Sequence, residues 1–200
     1  MRVALATHNP GKAHEFQQLL GGHVEVITLD ELGLNDEIEE PGPTFEDNAM
    51  AKAKAVFAAT GMATVGDDSG IEIFALNGWP GPKTARWTGR VLPAEEACRA
   101  LLDEADRLGL EDRRMQYVCV LAAILPGYEP FLVRGTCEGV MVEPRGQNGF
   151  AHDRIIYSPE LGKTFGEATD EEKGGMSHRA RAVQALLKTL QFAELVSAGV

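Results

Sequence analysis

Arg2-Val3-Ala4-Leu5-Ala6, followed directly by Thr7-His8-Asn9-Pro10-Gly11-Lys12, decides the fold class. The first five residues form a short apolar run that reads as a buried strand, and the next five are a dense cluster of turn formers that stops it. From Lys12 to Leu20 the residues Phe16, Leu19 and Leu20 fall on one helical face, and Val24 to Thr28 alternates like a second strand. Strand, turn, helix, strand is how an α/β protein opens.

Working outward, Thr44-Phe45-Glu46-Asp47 has a capping residue followed three positions later by an acid, the start of a helix that runs through Ala- and Lys-rich sequence and stops at Gly61. Ala63 to Gly66 reads as a short strand, Asp67-Asp68-Ser69-Gly70 as an interruption, and Ile71 to Leu76 as a resumed strand. Asn77 to Pro82 is a loop. An amphipathic helix follows Pro93 from Ala94 to Leu108, and Met115 to Leu125 and Phe131 to Val142 read as a hairpin turned at Pro126-Gly127. Glu143 to Asp153 is a Gly-rich loop. Ser177 caps a last helix carrying Ala182, Val183, Leu186, Leu187 and Leu190. With βαβ units around a central hairpin, the expectation is one domain over residues 1–200 with a long mixed sheet and flanking helices.

Charge and cysteine usage narrow the function. The net charge of −11 repels nucleic acid and anionic membranes, so neither is an expected partner. The acids are concentrated: Asp30, Glu31, Asp36, Glu37, Glu39, Glu40, Glu46 and Asp47 stand in a stretch with no Lys, Arg or His. Such a run is a solvated face or a divalent-cation site. Cys98, Cys119 and Cys137 are odd in number and contain no CxxC pair, the usage of a reducing compartment. Met1 leads straight into strand sequence, and no apolar run approaches the ~20 residues of a membrane span. A cytoplasmic protein is expected.

Four clusters can carry chemistry. Thr7 to Lys12 joins a strand end to a helix start, where unpaired N–H groups and the helix dipole favour an anion. Lys12 in that first turn has the wrong sign for the dipole unless an anion lies beside it. The spacing is not that of a Walker A loop. The last helix repeats the anomaly with His178, Arg179 and Arg181, and an Arg there could fork onto phosphate or a purine carbonyl. Asp67-Asp68 sets two carboxylates side by side between apolar strands, an arrangement a cation would relieve, with Glu39-Glu40 able to complete the ion site. Gly149-Phe150-Ala151-His152-Asp153 offers an aromatic for stacking on a base and an imidazole to hydrogen-bond it. Two anion-seeking helix starts and two carboxylate clusters together suggest a Mg²⁺–polyphosphate substrate.

These pieces, in this order, resemble the inosine triphosphate pyrophosphatase family, also called dITP/XTP pyrophosphatases. The likeness runs through Thr7-x-Asn9-x-x-Lys12, Glu39-Glu40-x-Gly42-x-Thr44-Phe45-x-x-Asn48-Ala49-x-x-Lys52-Ala53, and Asp67-Asp68-Ser69-Gly70-Ile71. It continues with Pro80-Gly81-x-x-x-Ala85-Arg86, Gly149-Phe150-x-x-Asp153, Lys173 and Ser177-His178-Arg179. The resemblance implies an ITPase-like α/β fold with two lobes around a central cleft, a homodimer, and Mg²⁺-dependent hydrolysis of ITP, dITP or XTP to the monophosphate and pyrophosphate. Such an activity keeps these nucleotides out of DNA and RNA. It implies that Thr7, His8, Asn9, Pro10, Gly11 and Lys12 cradle the phosphates and that Glu39 and Asp68 hold Mg²⁺, with Glu40 a near alternative. Asp68 is then also the proton acceptor that activates water. Ser69, Lys173, His178 and Arg179 contact the nucleotide, and Phe150, Ala151, His152 and Asp153 line the base pocket.

One departure stands out: family members usually read Gly-Phe-Gly-Tyr-Asp-Pro where this chain has Gly149-Phe150-Ala151-His152-Asp153-Arg154. Selectivity for a 6-oxo purine requires a donor, either a backbone N–H or the Arg179 guanidinium, since adenine would leave buried donors unpaired at ~1–3 kcal/mol each. Two rival readings are a nucleotide sensor without catalysis, which the altered loop would suit, and a divalent-cation protein built on the acidic run, which lacks an EF-hand loop.

Overall fold

The computed structural model describes residues 2–22, 24–40, 42–189 and 194. Leu190, expected on the last helix, lies outside them. Strand β1 (Arg2–Ala6) leads into helix α1 (Pro10–Leu20), strand β2 (Glu25–Thr28) and helix α2 (Phe45–Thr60). Next come strands β3 (Thr64–Ile73) and β4 (Pro80–Gly81), helix α3 (Ala94–Arg107), and strands β5 (Arg114–Ile124) and β6 (Phe131–Met141). Two short strands, β7 (Ile156–Ser158) and β8 (Lys163–Thr164), precede helices α4 (Asp170–Met176) and α5 (His178–Lys188). The sheet order is β2-β1-β3-β5-β6-β7-β8, with β4 paired to β3. β1 is parallel to β2 and β3, whereas β3–β4, β6–β7 and β7–β8 are antiparallel. The expected mixed α/β sheet is therefore present.

The chain forms two compact units, one of Met1–Ser69, Cys119–Gly135 and Arg179–Val200, the other of Gly70–Val118 and Thr136–His178. In the first, Phe16 and Leu20 of α1, Val3 and Leu5 of β1, Cys119, Leu121 and Ala123 of β5, and Ala182, Val183 and Leu186 of α5 form one buried cluster. In the second, Leu101, Leu102 and Ala105 of α3 pack with Met115, Tyr117, Ile155, Ile156 and Phe165. Fully burying a side chain the size of Leu or Phe contributes ~1.5–3 kcal/mol, so each cluster holds its elements firmly.

One sequence expectation is corrected. Asp67-Asp68-Ser69-Gly70 does not interrupt a strand; β3 runs through it without a break. Turn propensity loses because each polar side chain finds buried partners, described below. In addition, α4 occupies residues to which the sequence reading assigned no element. Its Thr169 and Glu172 form a reciprocal capping box, which starts the helix despite the two glycines inside it. Ser177 ends α4 and directly precedes α5.

Candidate active site

In the first unit the site grows from the pleat of β3. Gly66, Asp68 and Gly70 alternate with Asp67 and Ser69, so the two adjacent carboxylates point to opposite faces. Gly66 allows α2 to lie directly on the strand: a Cβ there would sit 2.2 Å from the Ala49 carbonyl oxygen and 2.8 Å from the Ala53 nitrogen. That close approach brings Asn48 and Lys52, one turn apart on α2, over Asp68. The Asn48 amide donates to Asp68 Oδ2 at 3.3 Å, and Lys52 Nζ donates to Asp68 Oδ1 at 3.0 Å and to Glu40 Oε1 at 2.6 Å. Burial opposes the charge of Lys52, but Asp68, Asp67 and Glu40 outweigh it and raise its pKa. Burial raises the pKa of the Asp68 carboxyl from its ordinary value, with Lys52 and Lys12 opposing and Glu40 adding to the rise.

On the other face Asp67 is fully buried. The Lys12 ammonium pairs with its Oδ1, the Cys119 thiol donates to Oδ2 at 3.1 Å, and the Arg179 Nε lies 3.6 Å from the same oxygen. Burial pushes the Asp67 carboxyl up, yet Lys12, Arg179 and Lys52 overcome it and hold it well below the ordinary value. Desolvation, with the same carboxylate adding to it, raises the Cys119 thiol, which is therefore an inert donor and not a nucleophile. Arg179 is 1% exposed; its guanidinium also pairs with Glu15 and donates to the Ser69 hydroxyl at 3.1 Å. Lys12 and Arg179 thus meet on Asp67, next in sequence to Asp68.

The remaining residues of the first turn are placed differently. Asn9 caps α1, its side-chain oxygen accepting from the backbone N–H groups of Gly11 at 2.9 Å and Lys12 at 3.3 Å, while the Thr7 hydroxyl accepts from Asn9 N. Pro10 occupies the first helical position. His8 turns to the acidic stretch, with Nδ1 3.0 Å from Asp30 Oδ1. Of the Glu39–Glu40 pair, Glu40 reaches inward while Glu39 is exposed.

Four carboxylates (Asp67, Asp68, Glu40, Glu15) therefore face three cations (Lys12, Lys52, Arg179). No three His, Cys, Asp or Glu side chains gather as a metal cage among the described residues. The two carboxylates that converge on Lys52, Glu40 and Asp68, could supply the protein's share of a Mg²⁺ site, since that ion needs only one or two carboxylates beside phosphate and water.

The second unit holds the other predicted group. Buried Asp153 accepts from the Tyr117 hydroxyl at 3.1 Å, from Lys173 Nζ at 2.7 Å and from Phe150 N at 2.8 Å. The Lys173 ammonium lies 4.6 Å from the Phe150 ring centroid, and His178 stacks on Tyr117 at 4.4 Å. Gly149 is required: at φ 73° its missing Cβ would fall 2.1 Å from Asp153 Oδ2. Ala151 adopts φ 51°, a left-handed conformation that costs a residue with a Cβ ~1–2 kcal/mol. His152 is 4% exposed, its Nε2 has no hydrogen-bond partner, and desolvation lowers its pKa to about 4, so it is neutral.

Sequence reasoning gave no role to Lys52, Asn48, Glu15, Cys119 or Tyr117. Asn48 and Lys52 carried a legible sign, a polar pair four residues apart among the alanines of a buried helix face. Glu15, Cys119 and Tyr117 carried none.

The fold and its polar clusters define the class: an α/β protein whose mixed sheet carries buried, closely paired acidic and basic side chains. The chain belongs to the Ham1 family, whose model matches residues 3–189. It is 41% identical over 189 residues to the dITP/XTP pyrophosphatase of Bacillus subtilis, covering 94% of this chain and 96% of that one. It is 42% identical over 190 residues to the dITP/XTP pyrophosphatase of a Thermus thermophilus strain, covering 94% and 91%. A HAM1 protein structure from Coxiella burnetii superposes with a TM-score of 0.84 at 34% identity, covering 96% of this chain and 98% of that one.

Proposed function

We propose that this chain is a nucleoside-triphosphate pyrophosphatase that hydrolyses ITP, dITP and XTP to the monophosphate and pyrophosphate. The single observation that carries the reading is the buried cluster on β3, in which Lys12 and Arg179 share Asp67 while Asp68 stands beside Lys52 and Glu40. Relatives with the same activity in their names, at about two-fifths identity over nearly the whole chain, support it.

Lys12 and the start of α1 receive the phosphates, with Arg179 behind them. Asp68, whose raised pKa makes it a better base than an ordinary carboxylate, takes the proton from the attacking water. Asp68 and the Glu39–Glu40 pair would hold Mg²⁺, which when bound neutralises polyphosphate charge. Phe150 stacks on the purine. The Arg179 guanidinium is committed to Glu15, Ser69 and Asp67, so the donor to the 6-oxo group is a backbone N–H. The same reading carries a homodimer, by resemblance, and a cytoplasmic location, supported by three free buried cysteines. Among the described residues no helix is long and apolar enough to cross a membrane.

A nucleotide panel scored for pyrophosphate release tests the reading. ITP and XTP should far outpace ATP, and only with Mg²⁺; equal turnover of ATP and ITP refutes the selectivity. Asp68→Asn should fold and lose ~10²–10⁴-fold in kcat, the usual contribution of a general base. A variant with undiminished turnover removes Asp68 from the mechanism.

A further inference from the structure

Lys52 is the one cation of the first unit's cluster to which the resemblance assigns no role, and it stands at the point on which the Glu40 and Asp68 carboxylates converge. Its ammonium is 2.6 Å from Glu40 Oε1 and 3.0 Å from Asp68 Oδ1, and its side chain is 9% exposed. The other buried residues of α2, Phe45, Asn48, Ala49, Ala53 and Val56, carry no charge, so the ammonium answers only the carboxylates beside it. A divalent ion taking both carboxylates would have to displace the ammonium, because two cations ~3 Å apart repel strongly at protein dielectric. The long Lys stem gives it the freedom to move, and a triphosphate arriving with the metal offers it a new anionic partner.

We propose that Lys52 is a tethered counter-ion that fills the divalent-cation position of the nucleotide-free protein and yields it, moving onto phosphate, when the metal arrives complexed to a triphosphate. This rests on the Mg²⁺ reading given above. It makes the protein a poor ligand for free divalent ions and a good one for the metal–nucleotide complex. Lys52 is thus a positioning residue with a binding consequence separate from turnover.

The test is Mn²⁺ binding to nucleotide-free protein, followed by calorimetry or by the electron paramagnetic resonance of free Mn²⁺. Lys52→Met should bind Mn²⁺ at least ~10-fold more tightly than the wild type, because a charge repelling the ion at short range is gone. Lys52→Arg, which keeps the cation, should stay at the wild-type affinity. Adding Glu40→Gln to Lys52→Met should remove the gain, identifying the site. Should Met fold poorly beside two carboxylates, Lys52→Gln is expected to tighten Mn²⁺ in the same direction. In the wild type, the ¹⁵N-resolved ammonium resonance of Lys52 should be unmoved by Mg²⁺ alone at millimolar concentration and shift on adding Mg²⁺ with a non-hydrolysable ITP analogue. Neutral variants that bind Mn²⁺ no more tightly than wild type, a gain that survives Glu40→Gln, or a Lys52 resonance unmoved by the metal–nucleotide complex would each overturn the proposal. Failure of the Mg²⁺ reading itself looks different: wild-type protein would release pyrophosphate without any divalent ion.

Discussion

Asp67→Asn keeps the shape of the side chain and deletes its charge, and the cost can be worked from the structure. Asp67 has no exposure and is the shared partner of Lys12 and Arg179. Removing one member of a buried ion pair costs ~3–5 kcal/mol, because the survivor remains buried and uncompensated. Here Arg179 keeps Glu15, and Lys12 is 15% exposed, so the lower end applies, about 3 kcal/mol. For a chain of this size each kcal/mol moves Tm by roughly 2–4 °C, giving a drop of roughly 6–12 °C. Guanidinium unfolding followed by far-ultraviolet circular dichroism measures the loss directly. A double-mutant cycle with Lys12→Met should recover at least ~1 kcal/mol relative to additivity, since the two groups touch. Asp67 is held below its unfolded pKa of ~3.9. Its contribution is therefore complete above that pH and is lost as pH falls through the folded value, so the gap between wild type and variant should be flat from neutrality down to mild acid and close only below it. A loss under ~1 kcal/mol at pH 7, or strict additivity with Lys12→Met, refutes the reasoning.

Two further outcomes concern the loop of the second unit. His152, neutral and buried with a pKa of about 4 against ~6.5 unfolded, should cost the fold about 3 kcal/mol as pH falls from 6.5 to 4, because the unfolded chain takes up the proton first. His152→Phe should remove that part of the acid sensitivity in denaturation at stepped pH, and an unchanged pH profile would sink the assignment. Ala151→Gly relieves a left-handed residue and should raise stability by about 0.5–1 kcal/mol, net of the extra chain freedom of glycine when unfolded. A fall in Tm would mean the Ala151 Cβ makes contacts worth more than its strain.

Much of the architecture was legible because it rests on local chemistry. The apolar run before Asn9, the Thr44 cap and the Gly61 stop each act within a few residues, and the structure places Thr44 and Gly61 at the two ends of α2. What was hidden rests on contacts distant in sequence. Asp67 to Gly70 has the composition of a turn, and only the partners Lys12, Lys52, Cys119 and Arg179, supplied from four other segments, make an extended strand the better state. Helix α4 falls where the sequence reading assigns no element; it contains Gly174 and Gly175, whose low helix propensity a capping box offsets. Lys12 and Arg179 were found as charges out of place at helix starts, but their convergence on Asp67, and not Asp68, depends on pleat parity, which cannot be read until the strand is known to be unbroken.

That parity makes the spacing of β3 as consequential as its composition. Deleting or inserting a single residue just before Asp67 would turn the strand over by half a period, delivering Asp67 to α2 and Asp68 to α1 and α5. The two acids are chemically identical, so a chain altered in this way would keep its charge, its hydropathy and both carboxylates while exchanging the partner of Lys52 for the partner of Lys12 and Arg179. Relatives that tolerate length changes should therefore place them in the surface loops and keep the distance from Gly66 to Gly70 fixed.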